Sequence, residues 1–297
     1  MPRKVNINQP KSKLRQVQNK RRQAVNKYNS EVRKHNQKVR QRRTKINQAI
    51  NQYNSAARQH NARVRANRAR LNSEIAKLRS SPSSKRYVTY VASSEQLANS
   101  YSILEKKEEN ILGSNVGAEF LDLSEKEAAD SIQAANELGG NSEVILSDLS
   151  DSEITTELSD ISKDLNDRWR GALYALSPDN PDAARHFCTG TREILIEMLN
   201  YHAPDNIVKD ELPNCEFTGS GEVTRKSKIR HILLSHGVEA AEAADFVDDN
   251  VGNILTLFGV FNSATHGAAG KYVLPELQTL KTRTESGILY LSRVCSL

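Results

Sequence analysis

Gln23-Ala24-Val25-Asn26-Lys27-Tyr28-Asn29-Ser30 returns 25 residues later as Gln48-Ala49-Ile50-Asn51-Gln52-Tyr53-Asn54-Ser55. The match runs on, with Arg33, His35, Asn36, Val39 and Arg40 answered by Arg58, His60, Asn61, Val64 and Arg65. At about 3.6 residues per turn this offset is close to seven turns, so paired residues return to nearly the same helix face. No proline or glycine interrupts Lys11 to Leu78, and weakly apolar residues recur at helical spacing from Val25 through Val32, Ile46 and Tyr53 to Leu78. The stretch reads as one long helix or a helical hairpin, reaching roughly 100 Å if unbroken at about 1.5 Å per residue. Its mild apolar stripe suits a weak coiled coil whose stability and register are limited by His35, His60 and asparagines near the seam. Repulsion among its like charges opposes an isolated helix, so a homo-oligomer or another helical partner is expected.

Charge divides the chain at the same place. Residues 1–86 carry 25 Lys and Arg against Glu31 and Glu74, whereas 87–297 carry 17 against 34 Asp and Glu. A basic arm on an acidic body points to a polyanion, most directly RNA or DNA, since Lys and Arg gain affinity there by releasing condensed counterions. Arg22, Arg33, Arg40, Arg42, Arg43, Arg58, Arg65 and Arg68 are the candidate nucleic-acid contacts, tracking a phosphate backbone without reading sequence. Two alternatives stand beside this: an oligomerisation stalk, or an arm docked on the acidic part of its own chain.

The expected fold class is all-α: a long basic N-terminal helix or coiled coil followed by an acidic helical bundle. The expected units are an arm at 1–85, an acidic helical connector at 86–150 and a C-terminal domain at 151–297. No apolar run approaches the roughly 20 residues that cross a bilayer, and the chain starts without a secretory apolar stretch, so a cytoplasmic location is expected. Cys188, Cys215 and Cys295 are widely spaced and odd in number, which suits buried thiols rather than a disulfide framework or a zinc site.

In the connector, Tyr87 to Val91 reads as a short strand or extended entry. Helices are expected at about 95–111 and 124–138, the latter opening on Ser124-x-x-Glu127 as a capping box and closing at Gly139-Gly140. Its acids, dispersed at helical spacing, read as a solvated face. Beyond Ser152 a single apolar stripe runs through Ile154, Leu158, Ile161, Leu165, Trp169, Ala172 and Leu176. A second helix is expected from Asp182 to His202, then a loop through Pro204 to Gly221, a short helix from Thr224 to about His236, a long one at 239–266 and a last one at 274–291. On the long helix Asn262 and His266 stand one turn apart, and a histidine at a helix C-terminus is a candidate proton-transfer group.

Ala183-Ala184-Arg185 through Thr191-Arg192-Glu193-Ile194-Leu195, Ala203-Pro204-Asp205, Thr224-Arg225-Lys226-x-x-Ile229-Arg230 and Phe261-Asn262-x-x-Thr265-His266-Gly267 with Gly270-Lys271-Tyr272 resemble the predicted pPIWI-associating nuclease family. The resemblance covers about 150–295 and implies an all-helical domain of prokaryotic conflict systems, with an ending like that of HEPN-type ribonucleases and other defence-system proteins as partners. HEPN ribonucleases use Arg-x4–6-His, and Arg230 to His236 fits that spacing. In such a site arginine stabilises the phosphate in the transition state and histidine moves the proton of a 2′-hydroxyl, without metal.

The expected activity is therefore nucleic-acid binding with metal-independent RNA cleavage, its candidate catalytic residues being His266, Asn262, Arg230, Arg192 and His236. Three have a plainer alternative: a capping surface histidine for His236, a structural bond to Asn262 or backbone for His266, and a pairing with Glu193 or Glu197 for Arg192. No cofactor is expected. A divalent metal would need clustered carboxylates, for which Asp245, Asp248 and Asp249 at helical spacing are weak candidates. Arg185, Arg192, Arg225 and Arg230 are the candidate phosphate-binding set. The rival function is a non-catalytic nucleic-acid-binding scaffold or oligomerisation protein.

Overall fold

The computed structural model describes residues 8–80, 87–107, 115–140, 149, 152, 154–177, 179–263 and 272–297. Among them are ten helices and no strand: α1 (Asn8–Ser80), α2 (Val88–Lys106), α3 (Asn115–Leu138), α4 (Thr155–Ile161), α5 (Lys163–Ala175), α6 (Ala183–His202), α7 (Asp205–Glu211), α8 (Arg225–Ser235), α9 (Ala241–Ser263) and α10 (Leu274–Cys295). Phe217 and Val223 form one isolated antiparallel bridge. The all-α expectation holds, and the basic segment is a single helix rather than a hairpin. No helix among the described residues is long and apolar enough to cross a membrane.

The chain separates into two compact units, 1–62 and 63–297. In the first, α1 leaves its whole stripe in solvent: Val25, Ile46, Ile50 and Tyr53 are all exposed, Tyr53 by 74%. No described side chain of this unit is buried.

The second unit begins inside α1, where the sequence placed the boundary at the linker near 85. Residues 63–80 pack by Leu71 and Leu78 and form ion pairs and hydrogen bonds within the unit. Arg63 meets Asp122 at 3.3 Å, Arg68 pairs with Glu105 and lies 3.8 Å from Glu125, and Arg70 pairs with Asp130. The Asn136 amide donates to the buried Glu74, at 2.9 Å to its carbonyl and 3.0 Å to its carboxylate. Arg68, expected to touch nucleic acid, is thus held by two carboxylates of the body. Docking of the basic segment on its own chain is realised for 63–80.

Helix α9 lies at the centre, packed on α2, α6, α8 and α10, while α3 packs on α2 and α10. Glycine at 287 lets the helices approach closely: a Cβ there would collide with the end of the Ile254 side chain, which would have to shift. The interior is not purely apolar. Arg283, fully buried, pairs with the buried Glu127 and donates to Asn253 Oδ1 at 3.2 Å. Asn253 in turn accepts from Ser131 at 2.9 Å and donates to Ser93 and Ser94 at 3.2 Å.

Tyr87–Val91 is the start of α2, not a strand. α3 begins nine residues before Ser124. Ser124 and Glu127 are therefore mid-helix residues, occupied by Tyr290 (3.0 Å between hydroxyls) and Arg283 rather than by a cap. The acids read as a solvated face include Glu125 and Glu127, both buried, with the Glu125 carboxyl pushed up by that burial. The stripe from Ile154 to Leu176 is buried as expected except for a half-exposed Ile161, but Ser162 adopts extended backbone and splits it into α4 and α5, its hydroxyl accepting from Asp164 N. The loop expected after Pro204 contains α7.

Candidate phosphate-binding cleft

α6 ends at His202, and Pro204 turns the chain directly into α7, whose first residue is Asp205. The Asp205 carboxylate reaches two later segments. Its Oδ2 accepts from Val223 N at 2.9 Å, fixing the Phe217–Val223 turn, and its Oδ1 pairs with Lys228 on α8. These bonds, from Lys228 first and Val223 second, hold its carboxyl below the usual carboxylate range. α8 opens at Thr224, whose hydroxyl accepts from Ser227 N, and places Arg225 and Lys228 one turn apart. Lys228 is buried and donates to Asn200 Oδ1 at 2.8 Å, and Arg225 Nε donates to Asp248 Oδ1 at 2.6 Å.

Between these elements lies a cleft of about 680 Å³. Arg192, Arg225 and Lys228 line it, with Val223, Val251 and Leu255 as its aliphatic wall. Glu197, Asp205 and Glu222 also border it. Among the described residues Arg192 has no ion pair or hydrogen bond, unlike the other two cations. Its expected structural partners are engaged elsewhere: Glu193 with Arg168 at 2.7 Å, Glu197 with Asn200 at 3.4 Å. A free guanidinium in a cleft is a ready bidentate site for a phosphate.

The segments around Arg192, Pro204-Asp205 and Arg225–Lys228 are three of those that carried the resemblance, and they meet here. Residues 158–291 match the family described as a predicted pPIWI-associating nuclease. No curated protein and no solved structure matches the chain. The pPIWI-associating nuclease match runs from α4 into α10 and omits α1 as well as α2 and α3, the last two of which supply partners to its buried Asn253 and Arg283.

Of the remaining candidates, Asn262 falls on the α9 stripe of Val251 and Leu255, about 10 Å beyond Leu255 at about 1.5 Å per residue. His266, with the rest of 264–271, lies outside the described residues. Arg230 is exposed on α8 away from the cleft lining, and six residues of helix set it about 120° around the axis from His236. The His236 ring lies 3.3 Å from the Cys295 carbonyl oxygen. Arg185 stays at the start of α6, 3.3 Å from Asp182.

The aspartate trio diverges. Asp248 takes Arg225, Asp245 takes Lys226 at 2.6 Å, and Asp249 accepts from Ser100 and from Gln96 at 3.2 Å. No group of His, Cys, Asp or Glu that could hold a metal occurs among the described residues.

In the arm, Arg22, Arg33, Arg40, Arg42, Arg43 and Arg58 stand exposed, Arg58 bonded only locally to the Asn54 carbonyl at 3.1 Å. Arg65 is exposed within the second unit. Sequence reasoning did not single out Lys228 or the role of Asp205. The three-residue spacing from Arg225 to Lys228 on a short helix was the available signal.

Proposed function

We propose that this protein binds nucleic acid through the exposed basic unit 1–62 and acts on the phosphodiester backbone in the cleft between α6, α8 and α9. The observation that carries this reading is the meeting of Arg192, Arg225 and Lys228 in a single cleft, built from segments of the predicted nuclease family. Arg192 contacts the phosphate, Arg225 and Lys228 shape the field around it, and Asp205 holds Lys228 and the Val223 turn in place. His266 is the proposed proton-transfer group and Asn262 a further proposed site residue, in metal-independent cleavage of RNA within a prokaryotic defence setting; Arg230 and His236 are secondary candidates.

Incubation of the full chain with labelled RNA and DNA, with and without chelator, tests the reading beside Arg192→Ala and His266→Ala. RNA cleavage that survives chelator and is lost in both variants supports it. Cleavage abolished only by chelator moves the chemistry to carboxylates. The second reading, a non-catalytic scaffold, is favoured by the uncovered apolar stripe of α1; salt-sensitive binding without cleavage under any condition selects it.

A further inference from the structure

The cleft is poorly suited to a duplex. Its three cations face Glu197, Asp205 and Glu222 on the border and Asp248 behind Arg225, so the local charge is not that of a polyanion groove. Arg225 and Lys228 are already neutralised by Asp248 and Asp205, which leaves one uncompensated cation, Arg192, and hence room for one phosphate. A second strand would bring its phosphates against the bordering carboxylates, at a cost in like-charge repulsion. The volume, about 680 Å³, lies inside the range of about 300–1,000 Å³ typical of small-ligand sites. Part of the lining is aliphatic, with Val223, Val251, Leu255 and Ile196, the last 45% exposed. No aromatic ring lines it, so bases are held by apolar contact rather than by stacking.

From this we infer that the cleft takes a single-stranded dinucleotide unit, its bridging phosphate on Arg192 and a base against Val251, Leu255 and Ile196. The inference rests on the proposed function and narrows its substrate to unpaired strands. One phosphate on one free arginine gives modest affinity, so the cleft positions the strand and the arm retains it.

The probe is a fluorescently labelled linear dinucleotide, titrated into the full chain at elevated salt. With so few charges it gains little from the arm. Arg192→Ala, at an exposed position, weakens its binding about tenfold or more, the loss expected for a charge-assisted hydrogen bond. Ile196→Glu, which adds a carboxylate at the rim, weakens it likewise. Arg170→Gln, at an exposed position of α5 outside the cleft lining, leaves it unchanged. An unlabelled single-stranded oligonucleotide displaces the probe, whereas a duplex of the same sequence displaces it far less.

Dinucleotide binding indifferent to Arg192, or equal displacement by duplex, overturns the inference. If long RNA is still bound or cut in that case, the proposed function survives without it. If the full chain neither binds nor cuts any nucleic acid, the proposed function itself fails.

Discussion

Single side chains in this interior are held between requirements that small changes break. Alanine at Gly287 would set a methyl 2.1 Å from Ile254 Cδ1, inside a fully buried contact of α9 with α10. Gly287→Ala should therefore cost about 1–3 kcal/mol, measured by thermal or denaturant unfolding followed at the buried Trp169; an unchanged midpoint would mean the helices part without penalty. Histidine 202 gives a pH dependence of known sign. Burial first, and the nearby His236 second, hold its pKa below the ordinary value. The folded state thus binds that proton less readily than the unfolded one, and its contribution is full above the unfolded value of about 6.5 and lost as pH falls below it. His202→Gln should flatten the decline of stability between neutral and mildly acid pH. The same slope in both proteins would assign the effect to other groups. Neither residue was legible as special in the sequence, because close approach and burial depend on which helix lies opposite.

At the scale of elements, patterns with strong periodicity were read well and those dependent on a partner were not. α6 and α8 end where Pro204 and Gly237 stand in the sequence, and α9 buries the stripe of Val247, Val251, Ile254, Phe258 and Phe261. Ser124-x-x-Glu127 looked like a helix start because a capping box and a buried polar pair across two helices use the same residue types. The compact units and the charge divide the chain at different places. Charge changes sign near residue 85, but packing begins at Arg63, where the basic residues of α1 are neutralised by the acids of α2 and α3. Removal of 1–62 should leave the unfolding midpoint nearly unchanged, whereas removal of 1–80 takes away Leu71, Leu78 and the ion pairs. Leu78→Ala alone is expected to cost about 2–5 kcal/mol. A matching consequence concerns the family-matched half: expressed as 151–297, it would leave Arg283 buried without Glu127, and Asn253 without Ser93, Ser94 and Ser131. It should fail to unfold cooperatively, while 63–297 does so; cooperative unfolding of 151–297 would show that the connector is dispensable.

Across the whole molecule, affinity and position are separate tasks assigned to regions of opposite charge. Residues 1–62 hold 17 Lys and Arg against the single acid Glu31, while 63–297 hold 25 against 35 acids. Each phosphate neutralised releases counterions, so the logarithm of affinity falls against the logarithm of salt by about 0.7 per contact on single strands. The full chain should bind a long single strand with a steep salt dependence, and the 63–297 chain with a shallow one and weaker affinity at low salt. Arg192→Ala in the full chain should change that slope by about one contact at most, yet abolish whatever distinguishes unpaired from duplex strands. The combination is what separates the two tasks, because a site that combined them would lose slope and discrimination together. Retention of the full slope after deletion of 1–62 would place the polyanion on the body. The arginines of α1 would then serve only the uncovered apolar stripe, as solubilising neighbours of a helix-pairing surface.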